Sequence, residues 1–138
     1  MPDKLLIERK LQEITKQLKY LKELVKISEK TFLSDDVQMY FAERVVQRMV
    51  DAAIDINMHV ASDKKWETPD SYFNSFLALA DLKIYSREFA ESIAPSAKLR
   101  NIIVHEYLKL NIKKFKESLD CALRDYPKYV KHVQKFLK

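Results

Sequence analysis

No glycine occurs among the 138 residues. Average usage of about 7% would place roughly ten in a chain of this length. Their absence removes phosphate-cradling loops of the Walker and Rossmann types, in which the backbone approaches a phosphate where no Cβ fits. Type I′ hairpin turns, which need positive φ at both central positions, are poorly served as well. The single cysteine, Cys121, excludes an intramolecular disulfide and a cysteine-built zinc site. Long apolar runs are also missing. The longest stretch free of Asp, Glu, Lys and Arg is Ser71 to Ala80, ten residues, against the roughly 18–20 that a membrane-spanning helix needs. The opening Met-Pro-Asp-Lys leads into a charged periodic segment, unlike a secretory signal. With 47% hydrophobic and 33% charged residues, the expectation is one soluble domain over 1–138, cytoplasmic and not associated with a membrane.

Charge is placed unevenly. Residues 98–138 hold 11 Lys+Arg and 4 Asp+Glu, a net of +7, while the other 97 residues hold 14 and 16, a net of −2. A basic third on a near-neutral body points to an anionic partner on one side, nucleic acid first, although lysine-rich helix surfaces are common.

The hydrophobic pattern is helical throughout. Ile7, Leu11, Ile14, Leu18, Leu21 and Val25 alternate spacings of four and three, one apolar stripe on a long first helix. Phe32 and Leu33 close that segment, and Ser34 or Asp35 caps the next. The second helix is predicted from about Asp36 to Ala61, with Val37, Phe41, Val45, Ala52, Ile56 and Val60 as its main stripe. It also carries Glu43, Arg44, Gln47, Arg48, Asp51, Asp55 and His59, several of them four apart and hence neighbours. Thr68 as N-cap and Pro69 at the first helical position start a third helix, with Phe73, Phe76, Leu77 and Ala80 inward. Ser86 caps a fourth, interrupted or restarted at Pro95 and continuing through Arg100 to about Tyr107. Asn111 caps a fifth, and Pro127 opens a last short one. The predicted fold is all-α, an antiparallel bundle of five to six helices. His132 reads as a surface residue, Cys121 as a small core residue, and Tyr20, Tyr40, Tyr72, Tyr85, Tyr126 and Tyr129 as packing residues.

The segment from Leu99 to Tyr107 stands out once wound into a helix. At about 100° per residue from Arg100, Val104 falls at about 40°, Leu108 at about 80°, Asn101 at about 100° and His105 at about 140°. Leu99, Ile102 and Ile103 lie on the opposite side and suit the bundle core. Val104 and Leu108 form a second apolar strip, and a helix apolar on two sides is buried on both, which self-association accomplishes. Arg100 and His105 point too far apart to grip one small group from a single straight helix, but two such helices about a two-fold axis place them around a shared groove. Glu106, directed at the core, suggests that the helix bends or ends there. Arginine binds phosphate through paired hydrogen bonds, and histidine moves protons near neutrality. Together they suit RNA cleavage by the 2′-OH. The same two residues equally fit an arginine on a helix-end carbonyl and a partly buried histidine. No carboxylate cluster or His/Cys spacing suggests a metal, and no cofactor is implied.

The stretch Arg100-Asn101-Ile102-Ile103-Val104-His105-Glu106-Tyr107 resembles the R-x-x-x-x-H-x-Y signature of HepT-like toxins in the HEPN superfamily. Glu43-Arg44-Val45-Val46-Gln47, Ala53-Ile54-Asp55-Ile56 and His59 resemble that family's second-helix pattern, and Trp66 to Tyr72 its segment before the third helix. The similarity covers roughly residues 35–120. It implies a dimeric all-α bundle and a metal-independent ribonuclease with RNA as substrate. Arg100 and His105 then take the catalytic positions, and Asn101 orients the site. Tyr107 takes the position at which a cognate MntA-like nucleotidyltransferase antitoxin attaches AMP. Asp55 and His59, one helical turn apart, are possible supporting residues, better explained as a structural pair or buried polar network. From the residues alone, a non-catalytic interaction subunit of a minimal nucleotidyltransferase, or a plain helical adaptor, stays open.

Overall fold

The computed structural model describes residues 3–105 and 110–138. Among the described residues the chain forms seven α-helices and no strand: α1 (Lys4–Leu24), α2 (Glu29–Ser34), α3 (Asp36–Asp63), α4 (Tyr72–Asp81), α5 (Arg87–Ile93), α6 (Pro95–His105) and α7 (Ile112–Leu137). Helix starts are written in the local sequence. The side chains of Asp3, Ser28, Asp35, Ser71, Ser86 and Asn111 each accept a backbone N–H from the first turn that follows, satisfying donors that a helix leaves orphaned. Helix ends solve the problem of a glycine-free chain differently. Beyond α3 and α4, Lys65 (φ 54°) and Lys83 (φ 67°) occupy the left-handed region, where a Cβ costs about 1–2 kcal/mol. Each turn is closed by two backbone bonds, Trp66 N to Ala61 O with Lys65 N to Ser62 O, and Ile84 N to Leu79 O with Lys83 N to Ala80 O. That is the Schellman pattern usually built on glycine.

The long α3 is the axis of the bundle. α1 and α2 pack along it on one side, α4 and α6 on another, and α7 closes the bundle against α1, α2, α5 and α6. Its core positions, Met39, Ala42, Val46, Met49, Ala53, Ile56 and Val60, are all buried. They alternate spacings of three and four and so hold one direction. The expected stripe through Val37 and Phe41 is corrected here. Val37 is 77% exposed and Phe41 42% exposed, because repeated steps of four drift by about 40° each and carry these two residues off the inward face. The first stripe is as expected from Ile7 to Leu21, all buried.

Three other departures, all in helix boundaries, have local causes. A seventh helix, α2, exists because Ser28 caps a new start where the sequence reads as the tail of the first helix. The third helix starts at Tyr72 rather than Pro69, because Ser71 takes Asn74 N at 3.0 Å while Asp70 takes Asn74 Nδ2 at 2.6 Å. α7 runs through Pro127 without restarting, held on both sides of the proline by the fully buried Tyr126 and Tyr129. Cys121 is exposed, on the outward side of α7. Among the aromatics, Tyr85, Tyr126 and Tyr129 pack in the core, whereas Tyr20, Tyr40 and Tyr72 stay exposed. His132 is half-buried against the rings of Tyr85 and Phe89, and that burial, followed by nearby Lys135, lowers its pKa.

One buried polar chain ties three helices together. Tyr129 Oη of α7 donates to Asn57 Oδ1 of α3 at 2.6 Å, Asn57 Nδ2 donates to Ser75 Oγ of α4 at 3.1 Å, and Ser75 Oγ donates to the Tyr72 carbonyl at 2.6 Å. Asn57 and Ser75 are fully buried, so every link matters in a low-dielectric surrounding. Replacing Asn57 with Ala removes two of these bonds and leaves a void. The expected loss is about 2–3 kcal/mol of unfolding free energy, read from urea denaturation; a loss below about 0.5 kcal/mol would show that the chain of bonds contributes little.

Candidate functional site

α6 delivers three polar side chains to one end of the bundle. Pro95 starts it directly after α5, and Ala97 and Ile103 anchor it in the core. Leu99 and Ile102 are half-buried on the same side. Arg100 then points along the groove between α3 and α4. Its Nε donates to Asp51 Oδ1 of α3 at 2.6 Å, and its side chain is 15% exposed against 37% for Asp51. The guanidinium lies over the Tyr72 ring, 5.2 Å from the centroid. Its Nη1 donates to Asn101 Oδ1 at 3.2 Å. A guanidinium has five N–H donors, and among the described residues Nε and one Nη1 hydrogen are engaged in this way.

His105 stands on the face of α6 shared with Asn101, one turn further on, and is exposed. The two line an open concavity with Asp70, Ser71 and Tyr72 at the start of α4. Helical geometry separates Arg100 from His105 by about 140°, and the expectation that one helix cannot bring them to one group is met by a device not visible in that projection. Tyr72 touches both sides: its ring supports the Arg100 guanidinium and also borders the concavity of His105. Asn101 closes the gap from α6 itself. Tyr72 is thus common to the Arg100 contact and to the concavity of His105, while Arg100 does not itself line that concavity.

Asp55 and His59 do not join this patch. Asp55 Oδ2 pairs with Lys10 Nζ of α1 at 2.8 Å, and His59 Nε2 accepts from the Asp3 backbone N–H at 2.9 Å. They fasten α1 to α3 separately, so neither a mutual pair nor a buried network forms; Asp55 is exposed and His59 half-buried. Val104 is half-buried, while Glu106, Tyr107 and Leu108 lie outside the described residues. Two contributors were not singled out from sequence. Asp51 reads as one of several polar residues on α3, and its partner is 49 positions away; its one local signal is a carboxylate set between Val50 and Ala52 on an otherwise buried face. Tyr72 reads as a packing residue although it stands beside the Pro69-Asp70-Ser71 turn. Among the described residues, no group of three or more His, Cys, Asp and Glu side chains is arranged to hold a metal ion.

The profile of the family described as ribonuclease HepT-like matches residues 14–133. The chain belongs to the ribonuclease HepT-like family. A tRNA nuclease HepT from Aphanizomenon flos-aquae is 36% identical over 132 residues, which span 96% of this chain and 90% of that protein. An mRNA nuclease HepT from Shewanella oneidensis is 28% identical over 85 residues, 62% of this chain and 64% of that one. Among solved structures, a tri-AMPylated Shewanella oneidensis HEPN toxin in complex with MNT antitoxin superposes with a TM-score of 0.84 at 24% identity, covering 98% of this chain and 99% of that one. The all-α HEPN fold expected from sequence is therefore the fold found, and membership makes the protein a ribonuclease.

Asp51 restrains Arg100, so its replacement tests whether that restraint matters to RNA cleavage. Asp51→Asn keeps the size of the side chain and removes the charge that orients Arg100 Nε. RNA cleavage by this variant is expected to fall about tenfold or more, the scale on which misplaced transition-state donors act, with helix content unchanged by circular dichroism. Single-turnover cleavage at wild-type rate would mean that Arg100 needs no such restraint.

Proposed function

We propose that this chain is the toxin of a toxin–antitoxin pair, a metal-independent endoribonuclease of the cytoplasm that cleaves RNA with Arg100 and His105. The observation that carries this reading is the juxtaposition at α6: a restrained guanidinium beside an exposed imidazole, joined through Tyr72 and Asn101. The donor set favours an anion over a cation, since the Asp51 carboxylate is already paired with Arg100. The RNA phosphate binds between Arg100 and His105. The ribose 2′-OH attacks the adjacent phosphorus, and the P–O5′ bond breaks as the new P–O2′ bond forms. His105 assists the proton transfer that this exchange requires. Arg100 neutralises the charge that grows on the non-bridging oxygens. Asn101 orients the guanidinium. The products are a 2′,3′-cyclic phosphate and a 5′-hydroxyl, and no water is consumed.

The active form is a homodimer whose interface includes Val104 and Leu108. The partner that silences it is a cognate MntA-like nucleotidyltransferase antitoxin, which transfers AMP to the hydroxyl of Tyr107. Two names support this: the HepT nucleases among the sequence relatives, and the structurally similar HEPN toxin that is AMPylated and bound to an MNT antitoxin. An AMP on Tyr107, two residues after His105, adds bulk and negative charge where the RNA phosphate must bind.

Purified protein is expected to cleave RNA in the presence of a chelator and to leave cyclic phosphate ends. His105→Ala is expected to lose on the order of 10²-fold or more. Loss of activity with chelator, restored by magnesium, overturns the mechanism. For the silencing step, incubation with the cognate nucleotidyltransferase and ATP is expected to add AMP mass to the wild type and none to Tyr107→Phe. Equal incorporation in both proteins excludes Tyr107 as the acceptor.

A further inference from the structure

The concavity beside α6 has two electrically unlike ends. On the α6 side stand His105 and Asn101, with the Arg100 guanidinium outside the lining but against the Tyr72 ring; on the other side stands the Asp70 carboxylate, just before α4. A phosphate is drawn to the first and repelled by the second, so whatever part of a nucleotide reaches Asp70 is not its phosphate. Asp70 is exposed and held in place from below, its Oδ1 taking Asn74 Nδ2 at 2.6 Å. A carboxylate offers about four acceptor positions, so most of its capacity faces outward. Between the two ends lies Tyr72, 40% exposed. Arg100 covers the ring from one side, and the remainder borders the open space.

An acceptor-only group beside an aromatic ring, within one concavity of a phosphate-binding pair, has the chemistry of a nucleobase pocket. Bases stack on aromatic side chains and are read along their Watson–Crick edges when a strand is single. Guanine presents two adjacent donors on that edge, N1–H and the N2 amino group, matching the two oxygens of a carboxylate. Cytosine, adenine and uracil each present one donor beside an acceptor, which a carboxylate meets with one bond and one repulsion.

We propose that Asp70 and Tyr72 form a base-recognition subsite for the nucleotide flanking the cleaved bond, with guanine preferred. Tyr72 stacks the base and Asp70 accepts from its edge, while Asn74 fixes the carboxylate direction. Ser71 borders the same concavity, its Oγ accepting from Asn74 N at 3.0 Å. The subsite rests on the ribonuclease reading above for its position in the reaction, but base binding itself is independent of cleavage.

The test uses the full chain in two assays. Binding of GMP, AMP, CMP and UMP is followed by changes in aromatic NMR resonances. Cleavage is followed on short RNAs that differ only in the nucleotides flanking one bond. Wild type is expected to bind GMP about fivefold or more tighter than the others, and to favour guanine in kcat/KM by a similar factor, as a bidentate base contact does. Asp70→Asn, whose amide replaces one acceptor by a donor, is expected to reduce both preferences below about twofold. Asp70→Ser serves the same purpose if the first variant folds poorly. Equal binding of all four nucleotides, or a guanine preference unchanged in a folded Asp70 variant, overturns the subsite. Selective GMP binding that depends on Asp70 in a protein that cleaves no RNA supports the subsite and overturns the ribonuclease mechanism instead.

Discussion

The site depends on one ion pair, Asp51 with Arg100, closed across the groove between α3 and α6 at 2.6 Å. An arginine side chain loses up to about 2 kcal/mol of rotamer freedom when it is fixed. Here that cost falls on folding rather than on substrate binding, because the carboxylate that fixes it belongs to the central helix. The pair is only partly shielded, with Asp51 37% exposed, so its contribution to stability is small by the standards of buried pairs. Its consequence is directional. With Nε committed to Asp51 and Nη1 to Asn101, the remaining N–H groups keep a fixed bearing over Tyr72, ready for an anion whose charge grows during reaction.

α3 supplies this restraint as one of several polar attachments along its length, which reach different neighbours. Asp51 holds α6, Asp55 holds Lys10 of α1, and Asn57 joins Tyr129 of α7 to Ser75 of α4. Apolar stripes alone allow helices to slide by a turn at modest cost, whereas a buried amide with two specific partners admits one register. Ser75 passes that register on to the Tyr72 carbonyl at 2.6 Å. The ring beneath Arg100 is thus set by the same bonds that fix α4 against α3. The backbone of Tyr72, whose ring lies under Arg100, thus belongs to the same chain of contacts as the core.

The amphipathic pattern made most of the architecture legible. The stripe of α1, the Asp35, Ser86 and Asn111 caps, and the break at Pro95 are all local signals, and all stand in the structure. Features that needed knowledge of the other side of a contact did not show. Proline at 127 reads as a boundary because its own backbone lacks a donor, yet burial of Tyr126 and Tyr129 outweighs that penalty. Asp51 is one carboxylate among many until α6 is placed against it. Tyr72 carries no mark that distinguishes a ring under a guanidinium from a ring in a core. The motif residues Arg100 and His105 were legible as a pattern. The reach of Arg100 to the Tyr72 ring was not, since a helical projection gives directions and omits the length of an arginine side chain.

The charge distribution separates two tasks that the sequence presents as one. The basic third of the chain lies largely on α7, whose exposed face carries Lys113, Lys114, Lys128, Lys131 and Lys135. α7 packs chiefly on α1, α2 and α5, whereas the concavity of His105 opens between α4 and α6. None of these lysines lines that concavity. Exposed charges act over about 8–10 Å at physiological ionic strength, which is far enough to draw a polyanion toward the molecule and too short to organise it at a distant groove. Orientation must come from contacts near the cut. On the proposed mechanism and subsite, Arg100, His105 and the opposed carboxylate of Asp70 give a strand one way to lie, with its phosphate toward α6 and its base toward the start of α4.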